Sequence, residues 1–399
     1  MARDMAAQPQ AETKPKKKVK LGLFNLSVGF DMPFFILLML ILAVGLISLF
    51  SASFAYSYYW NNGDSYYYIK RQLVFAAIGI VTMLLASTVD YHFLRRLKIP
   101  YVVMGISLVL LLWVRFLAPP IRNVYRWIRI AGIRIQPSEV AKFAVILLFA
   151  YWISTFREEM STLKKGYAPF IGTLGVVCLL ILIEPHLSGT MLVAMIGMVM
   201  MFIGGTKWYY LAGTVGLAGG AAAAMIFGLG YERERIDVWL NPLGVYTSGG
   251  EGRDLAWQTV QSLYAIGSGG LMGEGLGNSR QKHLFLPEPQ NDFIFAVVCE
   301  EMGFVGAVLV IILFALLVWR GFVIGMKAPD RFGSMLAIGL VAQIGLQVAM
   351  NLAVVTNTIP NTGISLPFFS YGGSSLVMLL AQMGIVLSVS RRMKDKNNS

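Results

Sequence analysis

Charge is what this chain has least of. Only 14% of its 399 residues are Asp, Glu, Lys or Arg, while 56% are hydrophobic. So little charge cannot cover a soluble globule of this length, which excludes a water-exposed domain and assigns the chain to a membrane. Cysteine is nearly missing as well. Cys178 and Cys299 both lie in apolar stretches, so they read as small core residues rather than a disulfide. His92, His186 and His283 are the three histidines, scattered without metal-ligand spacing. No nucleic-acid motif accompanies the net charge of +12. Basic loops on one side of a membrane explain that charge more simply. A cleavable signal peptide is not expected, because about thirty mostly polar residues precede the first apolar run and no clear cleavage site follows it.

What is present is apolar length. Apolar runs fall at roughly 33–53, 72–89, 99–117, 140–155, 167–183, 187–204, 208–229, 293–319, 332–356 and 371–390. Each approaches the roughly 20 residues a helix needs to cross a hydrocarbon core. The fold class predicted is therefore an all-α integral membrane protein of about ten transmembrane helices. Residues 1–31 read as a basic cytoplasmic tail carrying Lys14, Lys16, Lys17, Lys18 and Lys20, residues 32–390 as the membrane domain, and 391–399 as a second cytoplasmic tail.

Loop charges predict the orientation. The even connections carry Arg95, Arg96 and Lys98, then Arg157, Lys164 and Lys165, then Lys207, then Arg320, Lys327 and Arg331. The C-terminus carries Arg391, Arg392, Lys394 and Lys396. These segments are expected in the cytoplasm, with both termini. Two odd connections break the pattern. The third holds Arg122, Arg126, Arg129 and Arg134, and the seventh, 230–291, is a large loop full of charge between helices 7 and 8. Basic residues that oppose the topological bias point to a task on the extracytoplasmic face.

Asp292 belongs to that same face, in LFLPEPQNDFIFAVVCEE (284–301), where a polar loop meets an apolar helix. A carboxylate at this junction is half in water and half against apolar packing, which tunes its pKa and gives it access to an amphiphilic substrate. The plainer explanation is a helix N-cap. In QPSEVAK (136–142), Glu139 and Lys142 share a helix face. Lys142 lies about a turn inside an apolar run, where an unpaired ammonium is costly. An ion pair with snorkelling arginines explains the pattern, and so does a cationic pocket for an anionic headgroup. The glycines at 267, 269, 270, 273, 275 and 277 lack the GKS or GKT of a nucleotide loop, so close backbone packing or a mobile lid is expected. Trp239, Pro242, Tyr246 and Trp257 suit an amphipathic segment on the membrane surface. The uncharged ninth connection, with Pro360, Pro367 and the Gly372-Gly373 pair, is expected to pack rather than to gate or to touch substrate.

Three segments together resemble a known family. QPSEVAK, the block GSGGLMGEGLGNSRQKHLFLPEPQNDFIFAVVCEEMGF and NTGISLPFFSYGGSS are similar to signatures of the SEDS proteins (shape, elongation, division and sporulation). The GLGNS and LPEPQ wording is closer to the FtsW/SpoVE branch than to RodA. The resemblance covers nearly the whole chain beyond the tail. It implies a peptidoglycan glycosyltransferase in the bacterial cytoplasmic membrane, polymerising lipid II into β-1,4 glycan during septal wall synthesis in division or sporulation. It implies that Asp292 is the catalytic aspartate, and that Arg71, Arg126, Arg134, Glu139 and Lys142 bind substrate. It implies a class B penicillin-binding protein as transpeptidase partner, along with other division proteins. A divalent cation, magnesium or manganese, is the candidate cofactor, with no organic cofactor. Two departures stand out: Asn291 where threonine is usual, and Glu184-Pro185-His186 where Gln-Pro-Asp is more typical. The rival expectations are a lipid II flippase, for which Glu300 and Glu301 in an apolar helix speak, and a scaffold without catalysis.

Overall fold

A computed structural model describes residues 29–96, 98–119, 125–130, 133–228, 230, 233–250 and 252–397. The basic tail before residue 29, and Arg122, lie outside them. Among the described residues, ten helices are long and apolar enough to span a membrane. They are α1 (Met32–Trp60), α2 (Tyr67–Thr88), α3 (Ile99–Phe116), α4 (Pro137–Thr155), α5 (Ala168–Ile183, extended by a π turn from Leu163), α6 (Leu187–Gly204), α7 (Trp208–Ala223, extended by a π turn from Ala224), α11 (Ile294–Met326), α12 (Arg331–Val355) and α13 (Gly373–Asn397). The chain is thus the multi-pass helical protein expected, with one addition. Ile128–Ile130 (β1) and Ile133–Ile135 (β2) pair as an antiparallel hairpin between α3 and α4, placing Arg129 opposite Arg134.

The helices start where their sequences stop them. Asp31 caps α1 by accepting the Phe34 N–H at 3.0 Å, and Pro33 fits the first turn because its missing N–H would have no partner there. Asp31 also takes two hydrogen bonds from Arg320 of α11, at 3.0 and 2.7 Å, and its own N–H donates to Ser390 of α13. On the same face His92 bridges Asp90 (2.8 Å) and Asp330 (3.1 Å), and Asp330 caps α12. These carboxylates push the imidazole pKa up to about 9, so a fixed cation clamps the second and eighth connections together.

Packing is uneven. α4, α12 and α13 are the most enclosed helices, and α13 lies along α2. α7 is almost entirely exposed, with Leu211 as its one buried residue among those described.

The seventh connection is folded. It forms α8 (Arg233–Leu240), α9 (Pro242–Ser248) and α10 (Arg253–Ser268), then a coil to Phe293. Trp239 and Arg235 donate to the carbonyls of Asn357 and Asn361, and the Asn361 amide donates to Gln258. The front half of this loop therefore docks on the ninth connection, in addition to any contact it makes with lipid.

The glycine-rich stretch is neither a lid nor a nucleotide loop. It fills a break in α11 at Gly303, whose φ of 66° and ψ of −169° suit only glycine. Helical hydrogen bonds lost at the break are replaced across it: Glu274 N–H to Glu300 O (3.0 Å), Gly275 N–H to Glu301 O (3.0 Å), Phe304 N–H to Gly270 O (2.9 Å). A Cβ on Gly303 would sit 2.3 Å from the Gly273 nitrogen, and one on Gly273 would sit 2.2 Å from the Glu301 carbonyl oxygen. Irregular backbone at this depth is tolerated because protein satisfies it.

Glu300 and Glu301 belong to the same joint. Glu300 accepts from the Ser279 hydroxyl and the Arg280 N–H, while Glu301 pairs with Lys282 at 2.8 Å and Ser51 at 2.6 Å. Their partners are loop and α1 atoms, which explains two acids in an apolar helix without a transport path.

Candidate active site

All six residues nominated from sequence line one cavity of about 1420 Å3: Asp292, Arg71, Arg126, Arg134, Glu139 and Lys142. They come from α2, the β1–β2 segment, α4 and the loop before α11, so only the fold brings them together.

Asp292 does not cap α11. The N-cap position is Phe293, which makes no side-chain cap bond. Its backbone is instead held by α12: the Asn351 amide donates at 2.7 Å to the Asp292 carbonyl and at 2.7 Å to that of Ile364. The ninth connection completes the cradle. Ser370 donates to Asn291 O (2.8 Å), Tyr371 N–H donates to Gln290 O (2.8 Å), and Gly363, with φ of 68°, lets the chain pass where a Cβ would lie 3.2 Å from Asp292 Oδ2. This connection packs against the segment carrying Asp292, and Gly363, Ile364 and Ser365 also line the cavity, so packing and a place at the site go together. The Asp292 carboxyl is partly buried. That burial, with Glu288 nearby and Arg126 opposing, raises its pKa to about 6.

The expected ion pair is present and deep. Lys142 Nζ lies 2.7 Å from Glu139 Oε1 and 3.3 Å from the side-chain amide oxygen Oε1 of Gln347 on α12. Glu139 Oε2 is buried without a hydrogen-bond partner among the described residues. Arg129 and Arg134 are cross-strand neighbours, an arrangement that repels unless an anion relieves it. Arg71 stacks on the Tyr67 ring at 4.2 Å. Arg126 donates to the carbonyl of Pro185.

That contact gives the Glu184-Pro185-His186 turn a place. His186 lines the cavity, and burial, then the charges of Arg126 and Lys142, press its pKa down to about 3, so the imidazole is neutral. Glu184 is buried, and its carboxyl is pushed up to about 8 by that burial, with Arg126 opposing. Gln290, Gln347 and Gly363 also line the cavity and were not singled out, whereas His186 stood out only as a departure from the family pattern. A signal existed for two α12 side chains: Gln347 and Asn351 lie four residues apart inside an apolar helix, where an amide needs a reason.

Among the described residues there is no group of three His, Cys, Asp or Glu placed to hold a metal ion. Among the charged side chains of the lining, Lys70, Arg71, Arg126, Arg129, Arg134 and Lys142 outnumber Glu139, Glu288 and Asp292.

Comparison with known proteins agrees with this architecture. The family model for FtsW, RodA and SpoVE, described as cell cycle protein, matches residues 31–395. Stage V sporulation protein E of Bacillus subtilis is 40% identical over 365 residues, covering 90% of this chain and 97% of that protein. A probable peptidoglycan glycosyltransferase FtsW of Trichlorobacter lovleyi is 34% identical, covering 92% and 94%. Among solved structures, a chain of a peptidoglycan synthase complex that coordinates polymerization and crosslinking superposes with a TM-score of 0.76 at 27% identity, covering 91% of this chain and 98% of that one. The rod shape determining protein RodA of Thermus thermophilus superposes with a TM-score of 0.65 at 28% identity, covering 91% and 97%.

Proposed function

The chain belongs to the FtsW/RodA/SpoVE family of cell cycle proteins, and on that premise we propose how it acts as a peptidoglycan glycosyltransferase. The substrate is lipid II, a disaccharide-pentapeptide on undecaprenyl pyrophosphate. Asp292 is the general base. Its carboxylate takes the proton of the acceptor GlcNAc 4-hydroxyl as that oxygen attacks the anomeric carbon of the donor. The bond from that carbon to the pyrophosphate oxygen breaks, and attack from the opposite face turns an α-linked donor into a β-1,4 glycan. Pyrophosphate is a weak base, so it needs charge stabilisation rather than a general acid. That is why cations, and not the second carboxylate of a glycosidase, accompany the base. Arg126, Arg134 and Lys142 bind the pyrophosphate, Arg71 flanks them, and Glu139 holds Lys142. The observation that carries this assignment is the convergence of one carboxylate of raised pKa and these cations in a single cavity. No protein ligand is assigned to magnesium or manganese: among the described residues no group of three His, Cys, Asp or Glu is placed to hold one, and a divalent ion would be held by the pyrophosphate oxygens and water, where it would offset their charge.

The protein, purified in detergent and given lipid II, is expected to make glycan strands. Movement of lipid II across a reconstituted bilayer without polymer would point to a flippase, and neither activity to a scaffold. The rate is expected to fall as pH drops through about 6, because protonated Asp292 cannot take a proton and the active form exists above its pKa. A rate unchanged down to pH 5 would separate Asp292 from the proton transfer.

The partner proposed is a class B penicillin-binding protein, whose transpeptidase chemistry supplies crosslinks. Support comes from the structural relative, which works within a synthase complex. Septal wall synthesis in division or sporulation is the proposed setting, as the names of the relatives suggest.

The orientation proposed puts both termini in the cytoplasm and the cavity outside, with the basic even connections inward. Ser248 is exposed on α9 in the seventh connection. In cells with a permeabilised outer layer, Ser248→Cys is expected to react with an impermeant thiol reagent. Cys178 and Cys299, both inside spans, give little background. Labelling only after lysis would invert the map.

A further inference from the structure

The cations above account for one part of the cavity lining. Another part is aromatic, and the assignments above give it no task of its own. Tyr371 follows directly on the cradle of Asp292, with its N–H on Gln290 O at 2.8 Å. Its ring meets Tyr68 edge-on, with centroids 4.8 Å apart at 81°. Tyr68 lies 6.1 Å from Tyr56, and Tyr56 lies 6.0 Å from Trp60. All four rings line the same cavity as Asp292, and they form a continuous row from the reaction centre to the α1–α2 hairpin, where Trp60 is 69% exposed.

The row is held in place. Asn61 N–H donates to Ser57 O at 2.9 Å and the Ser57 hydroxyl donates to Asp64 O at 2.6 Å, which fixes the hairpin. Gln72 fastens α2 to the ninth connection, donating to Ser370 O and accepting from Gly372 N–H, both at 3.3 Å.

A membrane-interface belt does not explain it. The hairpin sorts its aromatics into two sets. Tyr58, Tyr59 and Tyr66 are exposed and stand outside the cavity, where a belt belongs. Tyr56, Tyr67 and Tyr68 line the cavity together with Asn61, and Trp60, itself exposed, stands at the cavity rim. Uncharged sugar rings present C–H faces to aromatic rings, and hydroxyls and N-acetyl groups to amides and phenols, which is the chemistry this row offers. The cavity of about 1420 Å3 also exceeds the roughly 300–1000 Å3 of a pocket for one drug-sized ligand.

We infer that the Tyr371–Tyr68–Tyr56–Trp60 row is a subsite for the N-acetylated sugar rings of the glycan strand, guiding the strand from Asp292 to the rim. This rests on the polymerase assignment, so the test has one arm that does not. In the first arm the probe is chitotetraose, an uncharged β-1,4 N-acetylglucosamine tetramer, and its contact with the purified protein is read by saturation-transfer NMR. Binding is expected for the wild type, and Trp60→Ala is expected to weaken it roughly 2- to 10-fold while Trp60→Phe keeps most of it. In the second arm the strand-length distribution is measured with transpeptidation blocked. Trp60→Ala and Tyr68→Ala are expected to shorten strands several-fold while the rate of the first coupling stays within about twofold of wild type. Trp60 is exposed, so its truncation leaves the fold intact, which a thermal melt checks. No binding of the tetramer to wild type, or normal binding and strand lengths in Trp60→Ala, overturns the subsite. A wild type that binds the tetramer but makes no polymer overturns the polymerase assignment instead.

Discussion

Asp292→Asn is expected to abolish lipid II polymerisation in a protein that folds as the wild type does and binds the proposed transpeptidase partner equally well. The amide has nearly the shape of the carboxyl but cannot accept the proton, and loss of a general base costs about 10²–10⁴-fold in rate. Structural consequences are expected to be small for a specific reason. α11 takes nothing from this side chain, since its N-cap is Phe293 and the segment is anchored through the backbone carbonyl of Asp292 on Asn351. Burial also holds the carboxyl pKa up to about 6, so ionising it in place is unfavourable relative to water, and a neutral amide removes that penalty. Thermal stability should therefore be equal or slightly higher. The measurement is polymer made from lipid II by the purified variant, beside a thermal melt and a pull-down of the transpeptidase. A stable variant that polymerises within a factor of a few of wild type would remove Asp292 from the chemistry. The acid limb near pH 6 offers a second check, since it must vanish from whatever rate the variant retains.

The spans were legible because lipid demands about 20 apolar residues and little else supplies them. Boundaries shifted where the sequence is aromatic and polar at once. α1 runs on through Tyr56–Trp60 and α2 begins at Tyr67, ahead of the apolar runs ending at 53 and starting at 72. These tyrosines and Trp60 have polar tips that suit an interface or a cavity, and hydropathy alone does not reward them. The β1–β2 hairpin was hidden in plain alternation: Ile-Arg-Ile twice, a period of two that the arginines drew attention away from. The charged members of the site were visible because each is costly where it stands. Its uncharged members were not. Gln347, Asn351 and Gly363 matter through contacts with Lys142 and Asp292 that arise only once α4, α11 and α12 are packed. The glycine-rich stretch was legible as close backbone packing, but its counterpart, the break at Gly303, is marked locally only by one glycine and by the acids Glu300 and Glu301 in a long apolar run.

Breaking the Glu139–Lys142 pair is expected to cost stability and activity together, so the single variant cannot apportion them. Both side chains are buried, at 2.7 Å, and Lys142→Ala strands the Glu139 carboxylate away from water with one oxygen already lacking a partner. Removing one member of a buried pair typically costs about 3–5 kcal/mol. Low protein yield from Lys142→Ala would then say little about substrate. Replacing both members is expected to behave differently. Glu139→Gln with Lys142→Met keeps the volumes close and removes both charges, and exchanging a whole buried pair for neutral groups is often neutral for stability. Thermal stability should return toward wild type. Activity should not, because on the proposed assignment of Lys142 the pyrophosphate would lose a charge-assisted contact worth about 1.5–3 kcal/mol, or roughly 10- to 150-fold in kcat/KM. Arg134→Gln is the comparison that needs no rescue, since Arg134 is exposed to the cavity and outside any ion pair given by the described residues. It should lose activity over a similar range without a change in melting temperature. If the double variant is stable and polymerises near the wild-type rate, Lys142 serves only to neutralise Glu139, and the cationic wall reduces to its arginines.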